Sequence, residues 1–141
     1  KILTKEIQTA DILIHTAAVS DFTVKKIKGK LSSKSAHSLA LKPNKKIIDT
    51  LKDKNPNLFL VAFKAEAGCT DSELVHTAKQ KLAESRADMV IANHIDRPDQ
   101  GFGYDTNEVC IITKDNSVTR IPLAPKRIIA EKILDAITAS L

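Results

Sequence analysis

"LFLVAFKAEAGCTDSELVHTAKQKLAESRADMVIAN", residues 58–93, decides the fold class. Two runs inside it, "LFLVAF" (58–63) and "ADMVIAN" (87–93), are apolar without polar alternation. Short continuous apolar runs read as strands covered on both faces. Between them, "TDSELVHTAKQKLAES" (70–85) carries Leu74, Ala78 and Leu82 at i, i+4 and i+8, with Thr70 and Glu73 at capping-box spacing. Strand, capped helix and strand make one parallel crossover unit.

The rest of the chain extends that unit. "DILIHTAAV" (11–19) reads as another buried strand running into a small-residue turn, and "HSLAL" (37–41) as a short strand. "NKKIIDTLKDKN" (44–55) predicts a helix with Ile47, Ile48 and Leu51 on one face and Asn44 as N-cap. "NEVCIIT" (107–113) and "SVTRIPL" (117–123), split by "KDN", predict a hairpin. "PKRIIAEKILDAITASL" (125–141) predicts a closing helix with Pro125 in its first turn and Ile129, Ile133 and Ile137 facing inward. The opening "KILTKEIQTAD" reads as the tail of a helix. The expectation is one α/β domain over residues 1–141, with a mainly parallel sheet flanked by helices.

Composition excludes several classes. Hydrophobic residues are 43% and charged residues 28%, the balance of a soluble globular chain. No apolar run approaches the ~20 residues of a membrane span, and the first residues lack the apolar centre of a signal peptide. Cys69 and Cys110 stand far apart, outside any metal spacing, and read as free thiols of a cytoplasmic protein. The four histidines show no HxxxH or HExxH spacing, which excludes a zinc site of that type. No GxGxxG or GxxxxGK[ST] loop is present. No Ser/His/Asp or Cys/His nucleophile arrangement can be argued from spacing.

Charge is uneven. Between Lys25 and Lys54 ten lysines face only Asp49 and Asp53, a local +8 within a net +5. Such a stretch suits an anionic partner or a solvated lysine-rich flap. Ligands of open α/β sheets bind beyond the carboxyl ends of the strands. That rule selects His15, Thr16, Ala17 and Asp21 after the first strand, Phe63, Lys64 and Glu66 after the second, and Asn93, His94 and Asp96 after the third. Asp21 suits a divalent cation, a ribose hydroxyl, or simply a turn. Lys25, Lys26, Lys28 and Lys30 around Gly29 suit a flap over a polyphosphate, or an edge strand guarded by charge. Phe63 either stacks on a base or packs in the core. Lys79 and Lys81 lie off the apolar stripe of their helix.

Five segments occur together: "AAVSDF" (17–22), "KIK" (26–28), "LKPNKKIIDTLK" (41–52), "NPNLFLVAFKAE" (55–66) and "AKQKLAESRADMVIAN" (78–93). In order and spacing they resemble phosphopantothenoylcysteine synthetase, the phosphopantothenate–cysteine ligase of coenzyme A biosynthesis. The resemblance implies a Rossmann-like fold and a homodimer. It implies a ligase that activates the carboxylate of 4′-phosphopantothenate with a nucleoside triphosphate, releases pyrophosphate, and passes the acyl group to L-cysteine. It favours CTP, with ATP as the alternative, and Mg²⁺ as the metal. FMN belongs only to a decarboxylase fused or associated upstream.

Carried over by motif, the resemblance assigns His15, Thr16 and Ala17 to the nucleotide and Asp21 to its metal, with ribose contact as the alternative. Lys26 becomes the catalytic cation of the flap, with Lys28 and Lys30 as supporting charge. Lys45, Lys46, Ile47 and Ile48 form a nucleotide-facing loop, and Phe63 and Lys81 are nucleotide contacts. Ser85 stands at the nucleotide-site position where the family often has a lysine; either Arg86, one position away, replaces the charge, or the nucleotide preference differs. Lys45 stands where a proline is common. The family's glycine-rich opening and its phosphate segment are missing, so the chain reads as the C-terminal two-thirds of a synthetase domain, unable to ligate unaided. The competing readings are a basic nucleic-acid-binding α/β module and a nicotinamide-dinucleotide enzyme. Against the first, aromatics do not interleave with the lysines. Against the second stands the absent glycine fingerprint. The expected partners are therefore small molecules, with no membrane and no nucleic acid among them.

Overall fold

A computed structural model of the chain describes residues 2–141. Its main sheet runs in the order β1 (Ile12–His15), β4 (Phe59–Glu66), β5 (Met89–His94), β6 (Thr106–Thr113) and β7 (Val118–Pro125). The pairings β1–β4 and β4–β5 are parallel, while β5–β6 and β6–β7 are antiparallel. Four of the five strands therefore point the same way, in a Rossmann-like α/β fold. Helices α1 (Ile2–Glu6), α2 (Leu51–Lys54), α3 (Asp71–Ser85) and α4 (Lys126–Thr138) accompany the sheet.

Alternation along the strands sorts side chains to two cores. Leu60 and Ala62, Val90 and Ala92, and Cys110 and Ile112 meet Leu74, Ala78 and Leu82 of α3. Val61, Met89 and Ile91, with Val109 and Ile111, meet Ile129, Ile133 and Ile137 of α4. Both helical stripes are those the spacing predicts. All six residues of β5 are buried, which is why its Met89–Ala92 stretch reads as an unbroken apolar run. The capping box forms: Glu73 N donates to Thr70 Oγ1 at 3.3 Å, and Thr70 N to Glu73 Oε2 at 2.8 Å.

Three expectations are corrected. Strand β1 is an edge of the sheet, not a buried strand: Ile12 and Ile14 are 39% and 38% exposed, and only Leu13 packs against the α3-side core. The strand expected over 37–41 lies at β3 (Leu41–Pro43), because its partner β2 (Phe22–Val24) sets the register Thr23↔Lys42. The helix expected over 44–55 shrinks to a 3₁₀ turn, Ile48–Thr50, followed by the single turn of α2. Asn44 caps nothing there; its side-chain amide donates to Ser20 O at 2.9 Å.

β2 and β3 form the base of an arm. Between them residues 25–40 carry no helix or strand and lie exposed, Lys25, Lys26, Lys28 and Lys30 included. The expected flap is thus a two-stranded base bearing a lysine-rich excursion. No helix among the described residues is long and apolar enough to cross a membrane.

At the amino ends of β4 and β5, Asp88 ties the layers together. Its Oδ2 accepts from Lys52 Nζ at 2.6 Å and from Leu60 N at 2.9 Å, and the Lys52 and Asp88 side chains are only 12% and 14% exposed. Removing one partner of such a buried pair strands the other charge. Lys52→Ala is expected to lower stability by about 3 kcal/mol, read as a lower urea midpoint at unchanged m-value. An unchanged midpoint would show the pair to be screened by solvent.

Candidate functional site

A cleft of about 480 Å³ opens at the carboxyl ends of β1, β4 and β5. The chain leaving β1 supplies His15 through Asp21, and the return from β3 supplies Asn44 through Ile48. The arm's base holds these two stretches together: Asn44 N donates to Asp21 O at 2.7 Å, beside the Asn44–Ser20 bond. Strand β4 adds Phe63, Lys64 and Ala65, α3 adds Lys81, and β5 adds Asn93. Ile95, Gly101, Phe102, Asn107 and Lys126 close the far side.

Of the residues singled out in the sequence, His15, Thr16, Ala17, Asp21, Lys45, Lys46, Ile47, Ile48, Phe63 and Lys81 all line this one cleft. Lys26 does not; it sits on the exposed excursion of the arm. Ser85 does not either, because it is fully buried on the inner face of α3 and its hydroxyl donates to Lys81 O at 2.6 Å. Nor does Arg86 stand in for the missing lysine: it ends α3 in a left-handed conformation and donates to Asp53 Oδ1 at 2.6 Å.

The lining is strongly one-signed. Lys45, Lys46, Lys64, Lys81 and Lys126 line the cleft, against Asp21 as its one carboxylate. Lys64 is partly answered by Glu66 at 2.8 Å. Lys81 is answered only loosely, by Asp49 Oδ1 at 3.7 Å, and that oxygen is itself buried without a hydrogen bond. Burial pushes the Lys81 ammonium below its ordinary pKa, opposed by Asp49. A desolvated, under-neutralised ammonium gains from an incoming anion.

Alternation also explains why His94 is absent from the cleft. Asn93 continues the α4-facing row of Met89 and Ile91, whereas His94 follows Val90 and Ala92 toward α3. There His94 Nε2 meets Asp71 Oδ1 at 3.1 Å, and His94 Nδ1 lies 3.7 Å from Cys69 Sγ. Asp71 also accepts from Arg97 and, at 2.5 Å, from Arg120. Sequence spacing gave no hint of this Cys–His–Asp grouping, which the fold assembles from three elements. It is no activated nucleophile: burial pushes the Cys69 thiol up, and Glu66, Glu73 and Asp96 push it further. Asp96 is likewise committed, accepting from Gly68 N at 2.6 Å.

Gly101, Phe102, Asn107 and Lys126 were not legible as site residues. Gly101 has φ +87°, and a Cβ there would fall 2.8 Å from the Ile95 backbone, so the loop after β5 folds back tightly over the strand end. Lys126 Nζ fixes that loop through Gly101 O at 3.1 Å. The one available signal was the pair of glycines in "QGFGY", a turn marker rather than a motif.

Fold and cleft together define a Rossmann-like α/β domain with a lysine-lined crevice at its strand ends. The chain belongs to the family described as the DNA/pantothenate metabolism flavoprotein C-terminal domain, whose model matches residues 1–141. The resemblance read from the five segments is borne out. Among curated relatives, the coenzyme A biosynthesis bifunctional protein CoaBC of Thermococcus kodakarensis is 38% identical over 128 residues, covering 90% of this chain and 30% of that protein. Its namesake in Bacillus subtilis is 36% identical over 132 residues, covering 92% and 32%. The chain thus spans about a third of the length of these relatives. A solved DNA/pantothenate metabolism flavoprotein from Streptococcus pneumoniae superposes with a TM-score of 0.82 at 28% identity, over 99% of this chain and 68% of that one. The C-terminal domain of a coenzyme A biosynthesis bifunctional protein CoaBC gives 0.69 at 27% identity, over 96% and 57%.

The Asp71 cluster makes a pH prediction. The guanidinium groups of Arg97 and Arg120 hold the Asp71 carboxyl well below the usual carboxylate range. A carboxylate depressed by folding contributes stability above its unfolded pKa of about 3.9 and loses it as pH falls toward the folded value. Asp71→Asn is therefore expected to lower Tm at pH 7, and the gap to the unsubstituted protein to narrow below about pH 4. A gap that stays constant down to pH 3 would contradict this.

Proposed function

We propose that this chain forms the nucleotide-activating part of a phosphopantothenate–cysteine ligase in coenzyme A biosynthesis. The observation that carries the reading is the cleft lined by five lysines and a single carboxylate at the strand ends. The names of the relatives point the same way.

The chemistry matches that lining. The carboxylate of 4′-phosphopantothenate attacks the α-phosphorus of CTP; an acyl–phosphate bond forms and pyrophosphate leaves. The amine of L-cysteine then attacks the acyl carbon, and the nucleoside monophosphate departs with the acyl–oxygen electron pair. Joining two anions requires charge neutralisation and alignment more than an acid–base pair. Lys45 and Lys46, in the loop after β3, and Lys81 on α3 supply that charge. Lys26, on the exposed excursion, is the mobile cation that reaches the reacting phosphate. Phe63 and the small residues Thr16 and Ala17 offer a flat, close-approach surface for the base, CTP being favoured over ATP.

The described residues contain no group of three or more His, Cys, Asp or Glu able to hold a resident metal. Asp21 alone in a cationic cleft fits a Mg²⁺ that arrives on the triphosphate, with phosphate oxygens and water as its other ligands. Bound there, Mg²⁺ would neutralise phosphate charge. The half-exposed Phe22, Val24 and Leu41 of the arm support a homodimer. FMN would belong only to a decarboxylase fused to or associated with this chain, and no residue of this cleft is assigned to it.

Thermal melting with Mg²⁺ and CTP or ATP tests the reading, since binding needs the cleft and not turnover. Saturating nucleotide should raise Tm by several degrees, the effect of roughly 2–3 kcal/mol of linkage. Lys81→Ala and Asp21→Asn should each weaken binding by about tenfold or more, a loss of a charge-assisted contact. Equal shifts in all three proteins would remove the site. Steeply salt-dependent RNA binding without nucleotide competition would favour the nucleic-acid module instead.

A further inference from the structure

Asn107 lines the cleft, and its Oδ1 is buried without a hydrogen-bond partner. A buried, unpaired amide oxygen costs on the order of 1–3 kcal/mol, so a turn of the Asn107 side chain that presents this oxygen to a ligand in the cleft is favoured. The position is built rather than incidental. Val109 and Ile111 of β6 face α4, and Asn107, two residues before Val109, extends that row to the cleft. Phe63 and Asn93 end the corresponding rows of β4 and β5 on the same face. The pairing irregularity in β6–β7 falls between Asn107 and Val109, and the ladder resumes beyond it at Asn107↔Ala124 and Thr106↔Pro125. Asn93 Nδ2 already donates one of its two hydrogens to His94 O at 2.9 Å. Phe102, 77% exposed, stands at the entrance.

The geometry points to Asn107 as a positioning residue that accepts a hydrogen bond from a neutral N–H or O–H donor of the bound ligand, on the Phe63 side of the cleft and away from Asp21. This deepens the ligase reading and rests on it. The lysines discriminate charge; Asn107 discriminates a neutral donor, which lysines cannot do because they only donate. Three parts of the proposed substrates carry such a donor. One is the exocyclic amine of the nucleobase, present in CTP and replaced by an oxygen in UTP. The second is the pair of ribose hydroxyls, common to both nucleotides. The third is the amide or hydroxyl of 4′-phosphopantothenate.

Calorimetric titration of CTP, UTP and 4′-phosphopantothenate, with Mg²⁺, onto the unsubstituted protein and onto Asn107→Leu and Asn107→Ser tests the assignment. The shorter serine serves if the leucine variant does not fold. The expected result is a rise of about tenfold in the Kd of the ligands that carry the donor, the effect of one lost neutral hydrogen bond, with the others held within about twofold. A loss confined to CTP, sparing UTP, assigns the nucleobase; a loss shared by CTP and UTP alone assigns the ribose; a loss confined to 4′-phosphopantothenate assigns the acid. Unchanged affinities for all three, or equal weakening of all three, overturn the role of Asn107. Failure of the unsubstituted protein to bind any of them overturns the ligase reading, and this inference with it.

Discussion

Burial of β4 and β5 on both faces is the constraint from which the rest follows. Leu60, Ala62, Val90 and Ala92 are fully buried on one side, and Val61, Met89 and Ile91 on the other. Each such side chain contributes on the order of 1.5–3 kcal/mol for the larger aliphatics, and together they fix strand register, since a one-residue slip would exchange the two faces. Register in turn decides which residues emerge at the strand ends and on which side. Phe63 and Asn93 emerge toward the α4 side of the cleft, while His94 is carried away to the α3 side. The division between ligand-facing and structural polar residues is thus set by the packing of aliphatic side chains several residues earlier.

The second determinant is where the charge is left unanswered. Away from the cleft several ionic groups are matched: Lys52 with Asp88, Arg86 with Asp53, and Asp71 with Arg97 and Arg120. Inside it, Lys45, Lys46 and Lys81 stand with little compensation, and Lys81 is also poorly hydrated. Exposed lysines are screened over about 8–10 Å of salt solution. A cleft with low-dielectric walls concentrates their field instead. The arm contributes differently. Its base aligns Asp21 with Asn44 at the mouth, whereas its lysines remain in solvent.

Much of this was legible in the sequence because it rests on local pattern. The capped helix, the two-sided strands, the hairpin and the Ile129–Ile133–Ile137 stripe are periodicities of 2 and 3.6 that tertiary structure only had to satisfy. The errors share one origin. "DILIH" is as apolar as a central strand, but whether it is an edge depends on its neighbours in the sheet, which local pattern does not encode. Residues 44–55 have a helical stripe, yet Asn44 is claimed by Ser20 across the arm. Ser85 sits one helical turn after Lys81 on the same side of α3, but its short side chain is fully buried and its hydroxyl is spent on Lys81 O. Asn107 and Lys126 could not be reached by motif reading, because sheet pairing and the loop around Gly101 bring them to the cleft.

The central claim is that a nucleoside triphosphate enters the lysine-lined crevice at the carboxyl ends of β1, β4 and β5. Amide chemical-shift mapping during titration with Mg²⁺–CTP tests it most directly. The account predicts that the largest perturbations trace His15–Asp21, Lys45–Ile48, Phe63 and the Lys81 turn of α3, with those at the opposite end of the sheet, around Asp88, unmoved. Perturbations confined to residues 25–40, with the crevice silent, would contradict it.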